Sequence, residues 1–327
     1  MIILGVESSC DDTAVALVRD GREVLGSLVS SQVKLHRKFG GIVPEVASRK
    51  HLQQILPLLD ELFKITHLNK DDIDAIAVTN GPGLLGSLLI GLNTAKTLAY
   101  VWDKPLIAVD HLIAHIYSNF IDKPLPKQYP GIALIVSGGH TELVLIENKN
   151  KFKIIGGTRD DAAGEAFDKA AKILNLGYPG GPIVAKVAKQ GNVTLPRPMI
   201  FDNGLDLSFS GLKTALMRIN KTAPVSALAY EFQEAVTDIL MVKTKRAIKR
   251  FNPKFLVLSG GVAANQRLRE KMLALADAQK LPYYFPELKY CMDNAAMVAL
   301  AAYFLRKEGK PQWYNVDVTT ESLLFTN

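Results

Sequence analysis

Two stretches of this chain distribute apolar and polar residues in the same way. IILGVESSCDDTAVALV at the N-terminus and IALIVSGGHTELVLI from Ile132 to Ile146 each set two apolar runs around a short polar turn, a pattern that predicts a β-hairpin. Downstream of each hairpin a second pattern repeats. From Asp74 to His115 it reads as an apolar run (AIAVT), a glycine turn (NGPG), a long apolar helix, a Lys-Pro step, a short strand (LIAV) and Asp110 opening another helix. From Lys254 to Leu305 the run is FLVL, the turn SGG, the helix VAANQRLREKMLALADAQ, the step Leu281-Pro282, the strand YYF, and Asp293 opens the last helix.

The hairpins lie 129 positions apart, Ser8 against Ser137, and the later units 179 apart, Gly81 against Gly260, so the second half holds about 50 additional residues. Strands alternating with helices predict an α/β fold with a mixed sheet covered by helices in each half. A doubled unit with these glycine turns resembles the two-lobed actin, sugar kinase and Hsp70 (ASKHA) superfamily, whose repeats are RNase H-like and whose lobes face each other across a nucleotide cleft. The domains expected are an N-terminal lobe over 1–129, with the tail 306–327 a candidate completion of it, and a C-terminal lobe over 130–327 with an insertion at about 156–225. Two consecutive Rossmann-like domains are the simpler alternative.

The length of 327 residues and 48% hydrophobic content suit two cores of ordinary domain size. No charged and apolar leader stands at the N-terminus, and charge, Gly or Asn interrupts every apolar stretch before about 18 residues, so a cytoplasmic protein with no membrane span is expected. Cys10 and Cys291 are too few for a disulfide framework and lack zinc-ribbon spacing. The net charge of +7 is unevenly spread: residues 1–129 hold 13 Lys/Arg and 14 Asp/Glu, residues 130–327 hold 26 and 18. A basic second half suits a polyanionic partner, with Lys243, Lys245, Arg246, Lys249 and Arg250 as one helical cluster, although a solvated helix face gives the same pattern.

Chemistry concentrates in a few places. His111 and His115 in DHLIAH are four apart, so on a helix both imidazoles share one face and can reach one ion. Asp293, at the matching place of the second copy, is the candidate third ligand. Three turns follow strands directly: Glu7 to Asp12 (ESSCDD), Ser137 to Thr141 (SGGHT) and Ser259 to Gly261 (SGG). Gly138 and Gly139 lack Cβ, so their amides can approach a phosphate. Asp11 and Asp12 would repel bare phosphate and suit a cation or a hydroxyl-bearing substrate, or serve as turn formers. NGPGLLGS, from Asn80 to Ser87, is read as glycines that let a helix pack close to the sheet. Asn265 either caps a helix or bonds a ribose or base. In the inserted region Asp161, Glu165 and Asp168 form an acidic stripe, facing a cleft or pairing with Lys169 and Lys172. Tyr178 to Pro182 (YPGGP) is expected to be a turn.

Together ESSCDDT, SQVKLHRKFGGIVPEVASRKH, GPGLLGSL, DHLIAH, VSGGHTEL, DDAAGEAFDK, YPGGP, LSFSGLK, LSGGVAANQRLR and DNAAM resemble the tRNA N6-adenosine threonylcarbamoyltransferases, the TsaD family, once named O-sialoglycoprotein endopeptidases. The resemblance runs in order from about Gly5 to Ala302. It implies transfer of a threonylcarbamoyl group from threonylcarbamoyl-AMP to N6 of adenosine 37 in tRNAs reading ANN codons, with AMP leaving. It also implies one Fe(2+) or Zn(2+) per subunit on His111, His115 and Asp293. By the same resemblance Ile135, Val136, Ser137, Gly138 and Gly139 match the nucleotide loop, holding the adenylate or ATP/ADP, and Asp168, Gly181 and Asn265 match further substrate contacts. The implied partners are tRNA, an inactive paralogue of the same fold (TsaB-like), a small P-loop ATPase (TsaE-like) and the upstream adenylate-forming enzyme. Many relatives have Glu where Asp12 stands, so the shorter arm bears on any catalytic role of that residue.

The implied reaction is chemically coherent. The carbamoyl-phosphate anhydride is already activated, whereas adenine N6 is a poor nucleophile whose lone pair is delocalised, so positioning and charge stabilisation are what an enzyme must supply. Asp11 and Asp12 are the candidate catalytic carboxylates. A zinc peptidase needs a general-base Glu directly after the first His, and Leu112 stands there. A small-molecule kinase or ATPase of the same fold, and a non-catalytic scaffold, remain as other readings of the two opposed loops.

Overall fold

The computed structural model describes residues 1–220, 223–306, 315–322 and 324. They form two compact units: Met1–Leu125 with Met292–Asn327, and Pro126–Cys291. Of the tail expected to complete the first lobe, residues 307–314, 323 and 325–327 lie outside the described residues.

The first unit opens with three antiparallel strands, β1 (Ile2–Glu7), β2 (Asp12–Arg19) and β3 (Glu23–Ser31), followed by the one-turn helix α1 (Val33–His36) and the long helix α2 (Pro44–Thr66). Then come β4 (Ala75–Gly81), α3 (Leu85–Trp102), β5 (Leu106–Asp110) and α4 (His111–Tyr117). The sheet order is β3-β2-β1-β4-β5, with β4 parallel to both β1 and β5. One core fills the space between the sheet and α2 and α3, from Leu4, Val6, Val15 and Leu17 to Ile55, Leu59, Leu62, Ile76, Val78 and Leu92. β4 is buried at every position and β2 at all but its last, and both are mostly apolar, as strands covered on both faces are.

The second unit repeats the plan with β6 (Gly131–Val136), β7 (Thr141–Asn148) and β8 (Lys151–Gly157). Between β8 and the next long helix lie α5 (Ala163–Ile173), α6 (Gly180–Val187) and α7 (Ser210–Ile219), which have no counterpart in the first unit. The plan resumes with α8 (Val225–Phe251), β9 (Phe255–Ser259), α9 (Gln266–Ala278) and β10 (Tyr283–Tyr284). The sheet order β10-β9-β6-β7-β8 is the first sheet's order under the repeat. The expected α/β, ASKHA-type duplication is therefore present. It includes a third antiparallel strand per copy, β3 and β8, that the apolar pattern does not announce.

One boundary differs from the sequence expectation. The last helix, α10 (Ala295–Leu305), belongs to the first unit, so the second ends at Cys291 and not at the chain terminus. Every residue from Ala295 to Ala302 is buried, and the Ala-rich helix lies so close to β1 that a Cβ on Gly5 would stand 2.2 Å from the Ala295 carbonyl oxygen. Small side chains on both elements permit that approach. Asp293 thus comes from the second repeat by sequence but folds into the same unit as His111 and His115.

Candidate functional site

The first unit assembles its site at the ends of β1, β4 and β5. Asp110 closes β5 and caps α4, its Oδ1 accepting from the amides of Leu112 at 2.9 Å and Ile113 at 3.1 Å. Ser322, in the described part of the tail, donates its hydroxyl to the other carboxylate oxygen of Asp110 at 2.6 Å. The cap fixes where α4 starts and hence where its first residue, His111, and the next-turn His115 project. Asn294 plays the same part for α10, accepting from the Met297 amide at 3.0 Å, so Asp293 stands just outside the helix that the sequence has it opening.

His115 Nε2 lies 3.1 Å and His111 Nε2 3.6 Å from Asp293 Oδ1, and the three ligand atoms all fall within 4.8 Å of one another. The two rings meet edge to face at 4.6 Å. His111 turns its other nitrogen to Glu7: Nδ1 is 3.3 Å from Glu7 Oε2 and 3.2 Å from the Ser9 hydroxyl. Glu7 is itself held, accepting from Thr79 Oγ1 at 2.6 Å and from the Ser9 amide at 2.5 Å. A carboxylate on Nδ1 leaves Nε2 as the free lone pair, the arrangement that orients metal-bound histidines. The donor set fits one divalent ion: two imidazole nitrogens and one carboxylate oxygen, buried histidines, and coordination positions left for substrate oxygens.

The electrostatics of the cluster are those of confined charge. Burial disfavours the His111 imidazolium, yet Asp293 and Glu7 outweigh it and push the ring up to about 9. Burial and the neighbouring His111 hold His115 below the ordinary histidine value. For Glu7 burial works upward, but the His111 charge and hydrogen bond carry its carboxyl below the usual range. Farther along the turn, burial and then Asp293 raise Asp11, and the same two causes lift Asp12 to about 7. Burial, then Asp293 and Asp11, push the Cys10 thiol well above its ordinary value. Glu7 was not among the residues singled out from sequence. It stood in the quoted turn ESSCDD as a strand-end polar residue, and only the fold brings it to a ring 104 positions away.

NGPG packs against the turn of the first hairpin, where a helix packing close to the sheet was expected. A Cβ on Gly83 would sit 2.5 Å from the Ser9 carbonyl oxygen, and the Leu84 amide donates to that oxygen at 2.8 Å. The turn thereby braces the Ser8–Ser9 backbone from which the acidic pair projects.

In the second unit, Ile135 and Val136 end β6, and Ser137 closes the turn through its amide on the His140 carbonyl at 2.8 Å. Gly138 and Gly139 are exposed, and a Cβ on either would meet nothing within 4 Å. The N-terminus of α5 is pressed against this turn. Gly164 permits it, since a Cβ there would lie 2.5 Å from the Ser137 carbonyl oxygen, and the Ala163 amide donates to Thr141 Oγ1 at 2.8 Å. Gly260, at φ +88, brings the SGG turn against the Val136 carbonyl. Exposed glycine amides beside a helix N-terminus make an anion cradle.

The remaining sequence candidates in this unit make local contacts with their neighbours. Asp168 Oδ1 accepts from the Gly180 amide at 2.6 Å and so ties α5 to the start of α6. Gly180, Gly181 and Pro182 form that helix's first turn, where Pro needs no amide, so YPGGP is not wholly a turn. Asn265 caps α9, accepting from Leu268 at 3.0 Å and donating to Gln233 at 2.9 Å. Asp161 and Glu165 pair with Lys169 at 2.5 and 2.9 Å, the surface pairing and not the cleft-facing stripe. Of the basic cluster on α8, Lys243 is fully buried on Asp202 and Gly204, and Arg246 donates to the Ile200 carbonyl at 2.5 Å. Lys245, Lys249 and Arg250 remain exposed.

The tRNA N6-adenosine threonylcarbamoyltransferase (TsaD) family profile matches residues 23–300. A tRNA N6-adenosine threonylcarbamoyltransferase of Kosmotoga olearia is 52% identical over 314 residues, covering 94% of each chain. One from Thermomicrobium roseum is 47% identical over all of this chain and 98% of its own. Among solved structures, HypF of T. kodakarensis has a TM-score of 0.63 at 16% identity, over 93% of this chain and 47% of that one. Component A of the Acidaminococcus fermentans (R)-2-hydroxyglutaryl-CoA dehydratase has a TM-score of 0.57 at 15% identity, over 93% and 98%. At these identities the two structures establish the shared fold alone.

Proposed function

The chain belongs to the tRNA N6-adenosine threonylcarbamoyltransferase family, and on that premise we propose that it moves the threonylcarbamoyl group of threonylcarbamoyl-AMP onto N6 of adenosine 37 in tRNAs reading ANN codons, releasing AMP. The observation that carries the reading to this chain's own residues is the convergence of His111, His115 and Asp293 on one point, with Glu7 orienting His111.

His111, His115 and Asp293 would hold one Fe(2+) or Zn(2+) per subunit, which supplies Lewis acidity for substrate oxygens. The chain's own groups do the rest. The exposed amides of Gly138 and Gly139, with Ile135, Val136 and Ser137 behind them and the α5 N-terminus alongside, suit the adenylate phosphate. Asp12, poised near neutrality, suits acceptance of the proton that N6 loses on acylation; Asp11 beside it adds to the local negative charge. Asp168 and Asn265 fix the starts of α6 and α9, and Gly181, in the first turn of α6, is assigned to the substrate.

Charge supports a tRNA partner. With the observed units, residues 126–291 hold 24 Lys/Arg against 14 Asp/Glu, an excess of ten, and the remaining chain 15 against 18. An apolar face supports a protein partner: Leu52 and Leu56 on α2, and Leu85 and Leu89 on α3, are exposed on two helices that pack together. We assign that face to the inactive paralogue, and the small P-loop ATPase and the adenylate-forming enzyme complete the system in the cytoplasm. No helix among the described residues is long and apolar enough to cross a membrane.

Labelled threonine and bicarbonate, supplied with ATP, tRNA, the adenylate-forming enzyme and the partner proteins, should label tRNA at N6 of adenosine. Loss of label with His111→Ala, alongside loss of bound metal, supports the reading. Unlabelled tRNA with the wild-type protein overturns it.

A further inference from the structure

Residues 315–322, in the described part of the tail, run across the same strand ends that build the metal site, all within the first unit. Val316 and Val318 pack against that unit's core and anchor the segment. Its backbone then bonds to the end of β4. The Asn80 side-chain amide donates to the Asp317 carbonyl at 3.1 Å, and the Thr319 amide donates to the Asn80 carbonyl at 2.8 Å. Gly81 permits this approach, since a Cβ on it would overlap the Thr319 carbonyl oxygen. Thr319 Oγ1 accepts from the Glu321 amide at 3.2 Å, a tight turn after which the chain reaches the end of β5. There Ser322, 1% exposed, uses its hydroxyl twice: it accepts from the Leu324 amide at 3.1 Å and donates to Asp110 Oδ2 at 2.6 Å.

Each residue that the segment grips stands next to a residue of the metal site. Asn80 follows Thr79, whose hydroxyl holds Glu7 at 2.6 Å, and Glu7 in turn holds His111 Nδ1. Asp110 precedes His111 and caps α4 with its other oxygen, through the Leu112 and Ile113 amides. The terminal torsion of an aspartate is soft, so a bond to one oxygen sets the plane in which the other meets the helix. Short helices depend on such contacts, because few internal hydrogen bonds offset the cost of ordering them, and α4 has seven residues. His111 is the first of those seven, so its direction follows the cap closely.

We propose that residues 317–322 act as a strap whose bonds to Asn80 and Asp110 position Glu7 and His111 for the metal, with Ser322 as the positioning residue at its end. The proposal rests on the metal reading above and gives the tail control over that site's affinity. The strap works through the α4 cap and through the Thr79–Glu7–His111 chain, not through a ligand of its own.

The test uses the full-length, metal-free protein and Zn(2+) alone, with affinity read by chelator competition. Ser322→Ala removes the donor to Asp110 Oδ2 and should weaken Zn(2+) binding by roughly tenfold, the lower end of what partners behind metal ligands contribute. Ser322→Thr keeps a hydroxyl and should restore most of the affinity. A change that only lowered global stability would leave the affinity of the folded chain unaltered, so this readout isolates positioning. Coupling between two sites is reciprocal, so saturating Zn(2+) should also slow amide exchange across residues 315–322 of the wild type. Equal Zn(2+) affinity in the wild type and Ser322→Ala overturns the proposal. If that variant does not fold, exchange across the segment that ignores Zn(2+) overturns it as well. Zn(2+) binding that survives His111→Ala would instead sink the metal assignment, and the strap with it.

Discussion

Glu7 and His111, on β1 and α4, share a hydrogen bond of 3.3 Å between Oε2 and Nδ1, and this contact decides which ring nitrogen is offered to a metal. Without it only the Ser9 hydroxyl, at 3.2 Å, meets Nδ1, and a hydroxyl can donate or accept, so the tautomer is no longer fixed. Glu7→Gln must also present an amide NH2 to a site where Ser9 N–H and Thr79 O–H already donate. The expected result is a loss of roughly 10- to 100-fold in metal affinity, read by chelator competition, with the fold retained by circular dichroism. Unchanged affinity would reduce Glu7 to a packing residue.

The two glycine environments of the second unit predict opposite outcomes for the same change. Gly138→Ala adds a methyl where nothing lies within 4 Å, so thermal stability should move by less than about 0.5 kcal/mol while affinity for the adenylate falls. Gly164→Ala places Cβ 2.5 Å from the Ser137 carbonyl oxygen and should cost on the order of 1–3 kcal/mol in stability. Denaturant unfolding and nucleotide titration separate the two effects.

Lys243 and its neighbours on α8 separate stability from binding. Lys243→Met removes the nearer cation of Asp202, which is partly solvated and keeps Arg246 at 3.8 Å, and should cost about 2 kcal/mol, less than a fully buried pair. The triple change Lys245→Ala, Lys249→Ala, Arg250→Ala touches exposed cations only. It should leave the melting temperature nearly unchanged and flatten the salt dependence of tRNA binding.

Glu142, on β7 beside the SGGHT turn, gives a pH signature. Burial, with a contribution from Asp206, pushes its carboxyl up to about 8, against an ordinary value of 4.5. Between those values the folded chain binds the proton more tightly than the unfolded one, so stability falls as pH rises through that window, by up to roughly 1.4 kcal/mol per pH unit. Glu142→Gln should remove this slope, leaving a protein whose stability advantage over wild type grows from pH 5 to pH 8. Parallel stability curves for the two proteins would show that Glu142 is ionised in the folded state.

The sequence alone determined the doubled α/β plan, because apolar runs of strand and helix length, separated by glycine turns, recur in one order. It also placed both histidines on one helical face, since a four-residue step is a local property. The edge strands β3 and β8 escaped notice because they are half-exposed, and their side chains lack a clean two-residue alternation. The tertiary structure decided the rest. It returned α10 to the first unit through the close approach of Ala295 to Gly5, and so brought Asp293 to His115 across 178 positions. It spent Lys243 and Arg246 on internal partners, turned Asn265 into a cap, and brought Glu7 to His111. Periodicity reports which face of an element is buried, whereas the partner a buried polar group meets depends on chain reversals that no local spacing encodes.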